Sequence, residues 1–242
     1  MTPIELVQTA SPIIGGIGGA FYFDPATLAR GKELGLDGFR FYMLGRCGVL
    51  GDVEPKVVQS AMGYFEPGMV TKLWDSARDR LQPREAGREY LACAQNFGIA
   101  KFSGLDGLEA YTEAAAKVVS AQDPGALALF SGIAAEPLAS DPAARSMQLT
   151  SVLREMRGSV HLAALAASGL SPEMAHRVRR PDDVAMFGWS EGAEVTDDHQ
   201  GRWQAAETLT DEMLVAAWSC LTEAEGQTII DTVSAMQAVL AE

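Results

Sequence analysis

The stretch Leu153-Arg154-Glu155-Met156-Arg157-Gly158-Ser159-Val160-His161-Leu162-Ala163-Ala164-Leu165 sets two arginines, a glutamate and a histidine about a glycine between two apolar runs. Gly158 suits the residue just past a helix C-terminus and Ser159 suits an N-cap, so the stretch reads as helix, break, helix. Arg157 then falls in the last turn of the first helix and His161 in the first turn of the second. A helix N-terminus beside an arginine is a place for an anion, because unpaired N–H groups and the positive end of the helix dipole meet there.

The flanks of this motif are punctuated as helices too. Asp141-Pro142 starts the helix that reaches Gly158, Ser159 starts the next, and Ser171-Pro172 starts a third. From Val178 to Arg202 the chain is polar, with Gly188, Gly192, Gly201 and the acids Glu191, Glu194, Asp197 and Asp198, which predicts mostly loop. Two amphipathic helices, over about 202–219 and 223–240, follow as a hairpin whose apolar face could also seal a homodimer. Upstream, Asp24-Pro25, Asp37, Pro55, Pro67 and Pro83 each mark a helix start, with Val57, Val58, Ala61, Met62 and Phe65 at core spacing. A turn over Gln122 to Gly125 places a soft boundary there, giving helical domains over 1–125 and 126–242. Gly15, Gly16, Gly18 and Gly19 do not complete a dinucleotide fingerprint, and no βαβ pattern follows them; they read as a helix that lets a backbone or a ligand come close.

Composition agrees with an all-α fold with little or no β structure. The 242 residues are 48% hydrophobic but only 7% aromatic, enough for a sizeable core of one or two helical domains. No leader pattern and no long apolar run occurs, which points to a cytoplasmic protein with no membrane partner. Cys47, Cys93 and Cys220 form no pairing or metal motif and read as buried free thiols, and His161, His176 and His199 lack metal spacing, so neither a metal nor a cofactor is expected. With 19 Lys+Arg against 32 Asp+Glu, the net charge of -13 weighs against nucleic acid as a partner unless the few cations share one face. Arg177, Arg179 and Arg180 are the one basic cluster, and Asp182 and Asp183 follow at once, so the cluster reads as a solvated loop.

Leu153 to Leu165 resembles the Leu-Arg-Glu-His-Arg-Gly-Asp-Gly-His segment of the SalK-like helix-turn-helix proteins. The likeness extends over nearly the whole chain, through Tyr22-Phe23-Asp24-Pro25, Leu34-Gly35-Leu36 to Arg46, Tyr64-Phe65 with Pro67, Gly188-Trp189-Ser190, and Leu209-Thr210-Asp211 with Trp218. The resemblance implies a helical fold with helix-turn-helix or winged-helix-like units and brings no established activity. Gly18, Met156 and Ser159 stand where the family has histidine, histidine and aspartate. The acidic segment Glu191 to Gln200 stands where it has a helix and a strand-like wing, so the groove-reading part looks shortened and negatively charged.

His161, with Glu155, is the candidate acid/base pair; the alternative is a histidine that only bonds a neighbouring carbonyl or carboxylate. Arg154 and Arg157 either clamp an anion or join Glu155 in an internal salt-bridge network. Arg46, in an otherwise apolar helix, needs a carboxylate or an anionic ligand. Gly18 would leave room for a ligand, with Tyr22, Tyr64 and Met156 completing the binding set. The leading reading is therefore a small-molecule-binding protein for an apolar ligand with an anionic group, or a cofactor-independent acid/base enzyme, on a degenerate helix-turn-helix scaffold. The second reading is a DNA-binding transcriptional regulator, and a third is a structural partner subunit.

Overall fold

The computed structural model describes residues 1–190, 192 and 194–241. Among these residues it has twelve α-helices and no strand. Seven helices open on a proline, whose missing N–H is not needed in the first turn and whose fixed φ suits a helix. They are α1 (Pro3–Ile17), α2 (Pro25–Glu33), α4 (Pro55–Met62), α5 (Pro67–Arg78), α6 (Pro83–Phe102), α9 (Pro142–Ala167) and α10 (Pro172–Arg179). The others are α3 (Gly38–Cys47), α7 (Leu108–Ala121), α8 (Ala128–Ala134), α11 (Asp197–Trp218) and α12 (Glu223–Ala241). Thr2, Asp24, Asp37, Asp141, Ser171 and Thr196 accept first-turn N–H groups, as the sequence predicts for several of these starts.

α9 is the central helix, and it corrects the reading of the motif. It runs unbroken for 26 residues through Gly158 and Ser159, so no helix ends or begins there. Gly158 keeps a right-handed backbone and a Cβ placed on it would meet nothing, so its freedom is not used. A glycine inside a helix costs about 1 kcal/mol. Each large apolar side chain buried on either side contributes roughly 1.5–3 kcal/mol. Leu149, Leu153, Met156, Val160 and Leu165 are all buried, against α1, α6, α7, α8 and α11, and tertiary packing outweighs the local break.

One core draws on residues from Leu6 to Met236, on both sides of residue 125. A smaller core, of Ala164, Leu165, Leu170, Ala175 and Ala206, lies apart from it at the far end of α9. α12 does not run along α11 as a hairpin; Ile229, Val233 and Met236 pack into the main core against α1 and α7, so the apolar stripe expected at a dimer seam is covered within the chain. The 178–202 segment is less of a loop than expected, with two short 3-10 turns and an α11 that starts at Asp197 behind the Thr196 cap. Val57, expected in the core, is 42% exposed, and of the cysteines only Cys47 is buried while Cys220 is exposed. No helix among the described residues is long and apolar enough to cross a membrane.

Candidate functional site

Three elements meet at Glu155. Arg46, on α3, holds both carboxylate oxygens, Nε to Oε1 at 2.9 Å and Nη2 to Oε2 at 2.7 Å. The Tyr22 hydroxyl donates to Oε1 at 2.7 Å, and Arg154 adds a longer contact to the same oxygen at 3.2 Å while its Nε donates to the Gly15 carbonyl. The Glu155 side chain is 2% exposed. Burial would push its carboxyl up, but the Arg46 and Arg154 charges and the hydrogen bonds from Arg46 and Tyr22 hold it down at about 2. Burial pushes Tyr22 well above the ordinary phenol range, so it stays an O–H donor. Of the two readings of Arg154 and Glu155, the geometry is the internal network; Arg46 has found its carboxylate 109 residues away.

Further along α9, Arg157 and His161 reach α11. Arg157 Nη2 lies 2.6 Å from Glu207 Oε2 and 3.8 Å from Asp211 Oδ1. The Thr210 hydroxyl donates to the Ala206 carbonyl at 2.6 Å, which leaves it to accept from His161 Nδ1–H at 2.8 Å. That turns Nε2 toward Glu207 Oε1, 3.4 Å away. Burial lowers the His161 pKa and Glu207 opposes it.

A cavity of about 550 Å³ touches Arg46, Tyr64, Arg154, Glu155, Met156, Arg157 and His161, but neither Gly18 nor Tyr22. The helix N-terminus expected to hold an anion is absent, because Ser159 lies inside a helix and offers no free N–H groups; Arg46 pairs with Glu155 and Arg157 with Glu207. Gly18 leaves no room either. A Cβ there would stand 2.8 Å from the Thr150 carbonyl oxygen and 2.9 Å from Arg154 Cβ, so the missing side chain lets the end of α1 lie against α9. Gly18→Leu should therefore lower stability by about 1–3 kcal/mol through overpacking, measured by urea denaturation. A variant as stable as the wild type would show that the α1–α9 contact yields.

Just beyond the opening motif, the sequence reading found the helix start at Ser171-Pro172 but passed over the turn at Gly169 that precedes it. α9 ends at Ala167, and Gly169 turns the chain at φ +66, a conformation that glycine adopts without strain. Leu170 N–H bonds the Leu165 carbonyl at 3.0 Å and Gly169 N–H the Ala166 carbonyl at 3.1 Å, the paired closure of a Schellman C-cap. Leu170 and Leu165 meet in the small core, the apolar contact that accompanies this cap. Ser171 at once accepts Met174 N–H and starts α10. The result is helix, four-residue turn, helix, completed by α11 through Ala206, Trp203 and Leu209. Gly169-Leu170-Ser171-Pro172 carried the signal: a C-cap glycine, an apolar residue, an N-cap and an N1 proline in succession.

α10 buries Ala175 and His176 and exposes Arg179 and Arg180 at its end. Arg177 is turned back to Glu173 at 2.8 Å and to the Ser190 carbonyl. Among the described residues Arg179 pairs with no carboxylate, and Arg180 reaches only Asp183, at 3.6 Å. The cluster read as a solvated loop is thus the C-terminal end of α10 and the residue after it.

The chain matches the helix-turn-helix family over residues 7–185, a span that includes this unit. No curated protein and no solved structure matches it. The family match overturns two expectations: the reading as a small-molecule-binding protein or acid/base enzyme on a degenerate scaffold, and the exclusion of nucleic acid as a partner. Net charge misled because -13 is a sum over the whole chain, whereas attraction for phosphate depends on where the cations stand. Arg46, Arg154 and Arg157 pair with carboxylates of the protein, but Arg179 and Arg180, at the end of α10 and the rim of the cavity, are exposed. The chain belongs to the helix-turn-helix family.

Proposed function

We propose that the protein is a cytoplasmic DNA-binding transcriptional regulator of the SalK-like kind, with α10 as the helix presented to the duplex. The observation that carries this reading is the α9–turn–α10 unit, with a small core of its own and two exposed arginines at its end. α10 has eight residues and is about 12 Å long at 1.5 Å per residue, a length that lies within one major groove. Arg179 and Arg180 supply the attraction for phosphate that the rest of this acidic chain does not.

The test is a fluorescence-anisotropy titration with duplex DNA from upstream of the protein's own gene, repeated over a range of salt. Sequence-selective, salt-sensitive binding is expected. Arg179→Ala with Arg180→Ala should weaken binding to all sequences alike and reduce the slope of log K against log salt by roughly 2, about 0.9 for each phosphate that is no longer neutralised. Binding with no preference over unrelated duplex, or none at low salt, would remove the regulator reading.

A further inference from the structure

His176 is on the buried face of α10 and is 3% exposed. Its ring centroid is 4.1 Å from that of Phe187 and 6.2 Å from that of Tyr64, and its Nε2 has no hydrogen-bond partner among the described residues. Phe187 and Trp189 belong to the segment that follows α10. That segment is clipped to the junction of α4 and α5, where Trp189 Nε1 donates to the Tyr64 carbonyl at 2.8 Å and Glu66 N–H to the Phe187 carbonyl at 2.9 Å. One imidazole therefore joins α10, the segment behind it and the body of the protein.

The charges around the ring favour its neutral form. Arg180, just past the end of its own helix, and Arg177 on that helix oppose a second proton, while Asp183 on the following turn favours one, through its backbone first and its carboxylate second. From the α4–α5 junction come Tyr64, which burial keeps protonated, and Glu66, whose carboxylate is taken by the N–H groups of Gly68 and Met69. On α9 and α11, His161, Arg157 and Glu207 face one another. Burial is the largest influence and lowers the His176 pKa from its ordinary value despite Asp183.

We propose that His176 is a proton-operated latch on the DNA-binding helix: the neutral ring seats α10 on the body, and a second proton, placed on a ring whose Nε2 has no acceptor, drives α10 and the 181–190 segment away from it. The latch itself stands on this geometry; only its effect on DNA rests on the function proposed above. Because the folded ring has the lower pKa, its contribution to docking is complete above the ordinary histidine pKa and is lost as pH falls below it. Simple electrostatics runs the other way. Acid neutralises carboxylates on a chain of net charge -13 and should strengthen attraction to phosphate, so loss of binding on acidification has the opposite sign to the background.

Amide hydrogen exchange across α10 on the full chain, corrected for the intrinsic rate, tests the latch without DNA. Between about pH 7.5 and about pH 5.5 the opening equilibrium of α10 should rise up to about tenfold, the most that one ring with an unshifted open state can give over that range. His176→Phe, or His176→Leu should the first not fold, should abolish the rise, and His161→Gln should leave it in place. In the anisotropy titration, specific DNA binding should weaken in acid for the wild type but not for His176→Phe. An α10 whose exchange is indifferent to pH, or a rise that persists without His176, overturns the latch. Should the latch respond while DNA is not bound at any pH, the regulator reading fails and the latch stands.

Discussion

Glu155→Gln should destabilise the protein by about 3–5 kcal/mol in a denaturant titration, the usual cost of removing one member of a buried ion pair. The neutral amide keeps the shape and an oxygen for Tyr22, but leaves Arg46 and Arg154 sharing a buried site with no counter-charge and turns an N–H donor toward Arg46 Nη2, where Oε2 accepted. The attraction replaced here is between α9 and α3, so its loss is felt across the main core. Much of the damage comes from the orphaned arginine rather than from the absence of the bond. Arg46→Met combined with Glu155→Leu should accordingly recover most of the stability. The acid limb offers a second check. Because the carboxyl is held at about 2 against an ordinary 4.5, its contribution is present above the ordinary value and is lost as pH falls from there toward 2. Glu155→Gln should lack that component of acid destabilisation. A cost below about 1 kcal/mol would mean that the network relaxes into solvent as a surface pair does.

What the sequence disclosed and what it withheld divide along a physical line. Pro25, Pro55, Pro67, Pro83, Pro142 and Pro172 announce helices correctly because a proline in the first turn acts through its own backbone and needs no distant partner. Gly158-Ser159 misled because whether a glycine ends a helix depends on what the flanking residues bury, and α9 buries both flanks against six other helices. Arg46 was legible as a charge in need of a partner, but which partner was not, since Glu155 lies on another helix far along the chain. His161 stood out as the candidate acid/base group, but its contacts with Glu207 and Thr210 come from α11, beyond any local pattern. The turn at Gly169 is fully local and was still passed over, because the net charge of the whole chain discounts the arginines that follow it.

Leu170→Ala should release α10 while leaving the main core standing. Leu170 is buried in the small core against Leu165, at the residue whose N–H closes the turn after α9. Truncating a buried leucine costs about 2–5 kcal/mol through reduced burial and the cavity left behind. Here the cost falls on a cluster of five buried residues that adjoins solvent on the far side of α10, rather than on the larger core around α6, α7 and α9. Local opening of α10 should rise by about thirtyfold or more, corresponding to the lower end of that range, while amides in the buried middle of α9 keep their protection. DNA binding should fall with the population of seated α10, and the main thermal transition should stay near its wild-type position. Glu155→Gln has the opposite signature, with a lowered global transition and α10 protection that declines only in step with it. A single cooperative transition shifted equally at every amide in Leu170→Ala would mean that the two cores fold as one unit. In that case α10 could leave the body only when the whole protein unfolds, and a proton on His176 could not move it alone.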